Sequence, residues 1–286
     1  MKITISGVTG FLGGKLAGYF QARGHEVIAL NRGDFSKDAA ALAEKIEGSA
    51  VVIHLAGAPI AKRWTAKHKH QIYDSRILTT RKLADAMQQI SAPPDCFICA
   101  SAVGIYADEG VHGESSTGFS NSFLGKVCLD WEAEAMRAKS ICRTLVFRFG
   151  IVLGRDGGAL QKMALPFKMG LGGRIASGKQ MMSWVHLDDV AGIAEFAISN
   201  PGLEGALNIC APEAVSNRVF TQELAKALRR PAIFPVPAFM LKLVFGEGAV
   251  VLTGGQAARP DKLMEHGYRF RHDSLDEALR HIFAKP

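Results

Sequence analysis

The sequence predicts an α/β protein: a doubly wound parallel sheet with a smaller, mostly helical cap toward the C-terminus. Three observations carry this reading. Apolar runs of strand length alternate with helical patterns through most of the chain, the rhythm of βα units joined by right-handed crossovers. The strand-like runs are continuously apolar, as parallel strands are when helices cover both faces of their sheet. The first such run breaks into glycines at positions 7, 10 and 13, just ahead of a helical pattern.

The elements follow in order. KITIS is the first strand, and a helix spans 11–23 behind the glycines. EVIAL is the second strand and AVVIHLAG the third, with a long helix over 65–90 after it. CFICASAV is the fourth strand, a helix covers 123–139, and CRTLVFRFGIVLG returns to strand. Beyond Gly154 the pattern loosens into a glycine-rich loop, helix and loop. VHLDDVAGIAEFAIS is a helix whose opening Asp pair suits the positive end of the helix dipole. GALNICAP is a further strand, and from Val215 onward the reading is mainly helical. The expected division is a cofactor-binding domain over 1–165, with strand and helix added from about 184–212, and a cap over 213–286.

With 286 residues, 48% of them apolar, the chain can bury a full core and has an ordinary globular composition. Its formal charge of +7 favours anionic ligands, but the positive residues are scattered. Their densest cluster, KRWTAKHKH at 62–70, reads as a solvated helix face rather than a nucleic-acid patch. The most apolar stretch, 238–255, holds Lys242, Glu247 and several glycines and falls short of the ~20 apolar residues of a spanning helix. Five cysteines without framework spacing fit a reducing compartment. Cys96 and Cys99, three apart on a strand, point to opposite faces and read as buried apolar groups. The glycines also interrupt any N-terminal leader-like run. The expectation is therefore a cytoplasmic monomer or homodimer that binds a small molecule, with no metal, nucleic acid or membrane.

Gly7-x-x-Gly10-x-x-Gly13 lies between a strand and a helix, the setting that makes a dinucleotide fingerprint credible. The first glycine permits a tight turn, the second admits the pyrophosphate, and the third lets helix pack on strand. Thr9, Phe11 and Leu12 share this turn and complete the phosphate-side candidates. At the end of the second strand, Asn31 and Arg32 stand where NAD-preferring sites keep an acid. An arginine there pairs with a 2′-phosphate, so NADP(H) is the expected cofactor. Asp34 as a displaced acid is the alternative. Leu55, Ala56 and Gly57 end the third strand with small residues where the ribose passes, and His54 reads as a satisfied core histidine.

At this point the chain resembles an extended short-chain dehydrogenase/reductase. The glycine motif, HLAG, YDSRILTTRKL, SAVGIY, RFGIVLG and WVHLDDVA stand in that superfamily's order. FGIVLGRDGGAL, LPFKMGLGG, SWVHLDDVAG and the tail FGEGAVVLTGGQAARPDKLMEHGYRF are similar to its atypical branch of epimerase family proteins, which carry their own C-terminal domain. The resemblance covers essentially the whole chain. It implies a Rossmann-like fold and an NADP(H)-dependent oxidoreductase or epimerase-like activity on a carbonyl, alcohol or nucleotide-linked substrate.

The resemblance also implies a catalytic serine and a Tyr-x-x-x-Lys motif. Ser101 fits the first, but Phe123 stands near the tyrosine position and Val127 near the lysine. That absence keeps a catalytically silent NADP(H) sensor or scaffold as the alternative reading. Tyr106 and Lys126 are the candidates to replace the lost proton-transfer group. Arg76 stands where the superfamily keeps an Asn near the nicotinamide ribose. It is either a holder of phosphate or carboxylate or an exposed helix arginine. Phe123, Arg174, Trp184 and His186 are the substrate-cleft candidates, with Trp184 open to a core role instead.

Overall fold

The structure, a computed structural model, describes residues 1–284. In chain order, β1 (Lys2–Ser6), α1 (Phe11–Gln21), β2 (Glu26–Leu30), α2 (Ala39–Ile46) and β3 (Val51–His54) open the fold. Then come α3 (Ala66–Met87), β4 (Cys96–Ala102), β5 (Val111–His112), α4 (Phe123–Met136), β6 (Arg143–Phe149) and β7 (Ile151–Leu153). α5 (Gly158–Lys168), β8 (Met181–Met182), β9 (Trp184–His186), α6 (Leu187–Ser199) and β10 (Gly205–Ile209) follow. The C-terminal part holds β11 (Val215–Ser216), α7 (Asn217–Leu228), α8 (Ala238–Phe245), α9 (Val250–Thr253), β12 (Ala257–Ala258), α10 (Asp261–Glu265) and α11 (Leu275–Phe283).

Six strands form one parallel sheet in the order β10-β6-β4-β3-β1-β2. The chain leaves β1 toward β2 on one side and leaves β3 toward β4 on the other. The crevice at the carboxyl ends of β1 and β3 is therefore the topological switch point, where open α/β sheets take ligands. One buried cluster, with Ile3, Ile5, Ile53 and Leu145, packs with residues of α1 and α6. A second, with Val52, Phe97, Leu83 and Trp131, packs with α2, α3 and α4. Cys96 belongs to the first and Cys99 to the second, as the strand alternation requires.

The run 143–153 is not one strand. Gly150 passes so close to the Ser183 carbonyl that a Cβ there would meet it at 2.7 Å. Beyond Gly150 the chain leaves the main sheet, and β7 pairs with β9. A third cluster, including Leu153, Leu160, Trp184, Phe220 and Leu279, joins this segment to α7 and α11. Trp184 is thus a core residue, 1% exposed, rather than a lining of the cleft.

Candidate functional site

The switch point is built by steric necessity. Gly7 has φ +77, a conformation that favours glycine. A Cβ on it would lie 3.2 Å from the Leu55 and Ala56 backbone, and one on Gly13 would lie 2.2 Å from the Gly7 carbonyl oxygen. β1, β3 and the start of α1 therefore meet backbone to backbone. Ser6 stitches them: its Oγ accepts the N–H groups of Leu55 (3.0 Å) and Ala56 (3.2 Å) and donates to His54 Nδ1 at 2.7 Å. His54 is fully buried, and its Nε2 donates to Thr79 Oγ1 at 3.2 Å. Burial, then the Arg76 charge, push the imidazole down to about 3, so it is a neutral core residue.

Helices α2, α3, α4 and α7 each begin with a side chain that accepts a first-turn N–H, from Asp38, Thr65, Ser122 and Ser216. Helix α1 begins at Gly10 with no such acceptor and no acid in its first turn. Its first N–H groups and the positive end of its dipole face outward between exposed Thr9 and Gly10 and half-buried Phe11 and Leu12. An arrangement of this kind suits an anion. Phe11 also closes the loop 154–158, since Cβ atoms on Gly154, Gly157 or Gly158 would strike its ring.

Asn31 and Arg32 are exposed at the end of β2. Asp34 is committed elsewhere: it accepts the Asn31 N–H at 2.7 Å and Lys45 Nζ at 2.7 Å. Burial alone would raise its carboxyl; those two donors outweigh it and hold it below the usual range. Arg76 proves to be half-buried, donating to the Ile72 and Ala58 carbonyls at 3.1 Å each. Its guanidinium lies against Gly57, where a Cβ would meet it at 3.0 Å, and 5.1 Å from the Trp131 ring centroid. Among the described residues it has no carboxylate partner, and burial lowers its pKa. A cation so placed favours an anion arriving from outside.

Ser101, next to last in β4, is 3% exposed and donates to Glu132 Oε1 at 2.7 Å. Arg148 holds Glu132 through two hydrogen bonds, Nε to Oε1 at 2.8 Å and Nη2 to Oε2 at 2.7 Å. Burial alone would lower the Arg148 guanidinium; Glu132 more than reverses this. Cys128 is buried in the same neighbourhood. Burial pushes its thiol up to about 11, while Ser101 and Arg76 both act to lower it.

Tyr106 does not face the cleft. It is wholly buried, stacked on His112 with ring centroids 4.8 Å apart. Its hydroxyl donates to Asn208 Oδ1 at 2.9 Å and accepts from Arg148 Nη1 at 2.7 Å, and burial raises its pKa. Spacing from Ser101 told the distance along the chain but not the face. Lys126 is solvent-exposed, between buried Gly125 and Val127. Phe123 packs edge-on against Trp64, centroids 5.4 Å apart. Trp64 in turn is held by the C-terminal tail, where its backbone N–H donates to the Phe245 carbonyl at 3.3 Å. Phe123 thus serves as an apolar anchor for the C-terminal region.

Arg174 is exposed and lines an open cleft of about 340 Å³ with Arg218, Thr221 and Gln222. His186 is buried at the start of α6, beside Asp188, His272 and His281. Burial, then His272, push it down to about 4. Glu132, Arg148 and Arg218 escaped the sequence reading. An acid in a helix and an arginine in a strand carry no signature until the fold pairs them.

Residues 3–210 match the NAD dependent epimerase/dehydratase family, and residues 236–282 match DUF1731, a domain of unknown function. The Arabidopsis thaliana protein named epimerase family protein SDR39U1 homolog, chloroplastic, is 36% identical, over 99% of this chain and 86% of its own length. Epimerase family protein YfhF of Bacillus subtilis is also 36% identical, over 99% and 98%. The crystal structure of human epimerase family protein SDR39U1 (isoform 2) with NADPH superposes with a TM-score of 0.92 at 33% identity, covering 99% of both chains. Sheet order, glycine turn and sequence agree: the chain belongs to the NAD dependent epimerase/dehydratase family, with a DUF1731 region at its C-terminal end.

Proposed function

We propose that this chain is an NADP(H)-binding protein of the oxidoreductase or epimerase type, acting on a carbonyl, alcohol or nucleotide-linked substrate. The observation that carries the reading is the uncapped start of α1 over a glycine turn that a Cβ would fill. The human relative crystallised with NADPH supports it. Gly7, Thr9, Gly10, Phe11, Leu12 and Gly13 would hold the pyrophosphate. Asn31 and Arg32 would hold the 2′-phosphorylated ribose, and Leu55, Ala56 and Gly57 would floor the crevice. Arg76 and Ser101 would flank the nicotinamide side.

When bound, the nicotinamide supplies hydride exchange; orientation and proton movement fall to the chain's own residues. Ser101 directs its proton at Glu132, and its oxygen lone pairs would receive a substrate hydroxyl. As that hydroxyl loses its proton to Ser101 Oγ, the Ser101 proton passes to Glu132 Oε1. Arg148 keeps this oxygen aimed at Ser101. Arg174 and Arg218 offer two cations to an anionic substrate group.

The second reading, a catalytically silent sensor, is favoured by Phe123 and Val127, whose side chains serve packing instead. One experiment orders the two. NADPH and NADH are titrated against the purified protein by nicotinamide fluorescence, and turnover is then screened on a carbonyl panel. Tight NADPH binding, weakened in Arg32→Ala, with turnover lost in Ser101→Ala and Glu132→Gln, is the expected result. Binding without turnover on any carbonyl leaves the sensor; no binding of either cofactor overturns both.

A further inference from the structure

We propose that His186, His272 and His281 form a binding site for a divalent transition-metal ion of the zinc class. Asp188 is its supporting carboxylate, and the site lies on the seam between α6 and the C-terminal region. The three imidazoles come from three separate segments and converge without any other element between them. Ring centroids lie 3.9 Å apart for His186 and His272, 4.7 Å for His272 and His281, and 5.1 Å for His186 and His281. One donor atom from each of the three histidines and from Asp188 lies within 4.8 Å of the others.

One edge of the cluster already has the length an ion demands. Tetrahedral zinc with bonds of ~2.0–2.1 Å sets its ligand atoms roughly 3.3 Å apart. His186 Nε2 and His281 Nδ1 already stand at 3.3 Å. Closing the remaining edges needs small turns of the His272 and His281 rings, and His281 is exposed on α11. His272 is set in place by its backbone. Asp189, buried in the first turn of α6, accepts the N–H groups of Arg271 at 2.7 Å and His272 at 3.0 Å. Among the described residues, neither ring nitrogen of His272 makes a hydrogen bond. An imidazole is thus held against two others with its nitrogens unused.

The donor set selects the ion. Imidazole nitrogens suit zinc, nickel, cobalt and copper, whereas magnesium and calcium take oxygen ligands. Without an ion, His186 Nδ1 accepts the Asp188 N–H at 3.0 Å. Ligation through Nε2 places the imidazole proton on Nδ1, which then turns to Asp188 Oδ2, now 3.7 Å away. A carboxylate behind a ligating histidine orients the ring and strengthens it as a ligand. Lys15 already pairs with the other oxygen, Oδ1, at 2.8 Å, so its charge opposes the ion only in part. Water would supply the fourth ligand. Such an ion would tie α11 to α6, and so the DUF1731 region to the region matching the epimerase family. It departs from the metal-free expectation of the sequence.

The test uses untagged full-length protein and Co²⁺ as the probe. One Co²⁺ per chain with the visible bands of tetrahedral coordination, displaced by Zn²⁺, and a melting temperature raised by Zn²⁺ are expected. His281→Ala removes an exposed side chain and is expected to leave the fold intact. It should weaken Co²⁺ binding by at least about tenfold, as should His272→Ala, while His70→Ala, an exposed histidine elsewhere, should not. Absence of one-to-one binding at micromolar Co²⁺, or binding unchanged in both His272→Ala and His281→Ala, overturns the proposal. The readout needs no cofactor or turnover, so its failure is separable from failure of the NADP(H) reading.

Discussion

A Cβ on Gly13 would come 2.2 Å from the Gly7 carbonyl oxygen and 2.6 Å from its carbon, backbone atoms that no rotamer change can move. Gly13→Ala is expected to cost about 1–3 kcal/mol in a urea melt and to weaken NADPH binding by at least about tenfold, because the helix start must shift. Gly18, in the same helix, has nothing within 4 Å of its Cβ position. Gly18→Ala is expected to be neutral or stabilising, by up to about 1 kcal/mol, with NADPH binding unchanged. The pair separates a backbone approach from mere helix propensity. It also shows why this part of the site was legible in the sequence: a steric demand for glycine is local, and its spacing survives in one dimension. The Ser101–Glu132–Arg148 group was not legible. Glu132 lies 31 residues from Ser101 and 16 from Arg148, and only the alignment of β4, β6 and α4 brings the three together. Arg76 sat between these cases. Its position was readable, but its burial without an anionic partner required the fold.

Among the elements, α4 shows what replaced the expected chemistry. Its first residue, Phe123, touches Trp64, and Trp64 meets the turn after α8, where a Cβ on Gly248 would lie 2.9 Å from its ring. Arg63 adds a hydrogen bond to the Leu243 carbonyl at 2.7 Å, and Lys69 pairs with Glu247. The basic run at 62–70, read as a solvated face, thus clamps the tail in part. Trp64→Ala is expected to cost about 3–5 kcal/mol, and to speed proteolysis near α8 and α9 more than elsewhere, as mapped by limited digestion. The helices themselves were readable to within a few residues. The reading 65–90 became Ala66–Met87, and 123–139 became Phe123–Met136 with a tighter turn after it. The eight residues of α2 are too few to set up a clear helical pattern between two apolar strands. The run through Gly150 reads as one strand because apolar continuity does not reveal where a backbone changes sheets.

For the molecule as a whole, βα alternation made the parallel sheet legible, whereas the order of its strands follows from which way each crossover turns. The C-terminal region is packed into the rest by the third cluster, which mixes Leu160 and Trp184 with Phe220 and Leu279. Such mixing has no one-dimensional trace. The buried cysteines have a use of their own. Burial raises the thiols of Cys96, Cys99 and Cys210, so that none reacts readily in place. Cys96 lies on one face of the sheet, Cys99 on the other, and Cys210 with Cys128 in the small cluster beneath β12. Each is therefore a clock set in a different room. Alkylation followed by peptide mass mapping should show modification only as fast as the local structure opens. The order in which the sites are labelled would reveal whether the sheet faces and the tail open separately or as one.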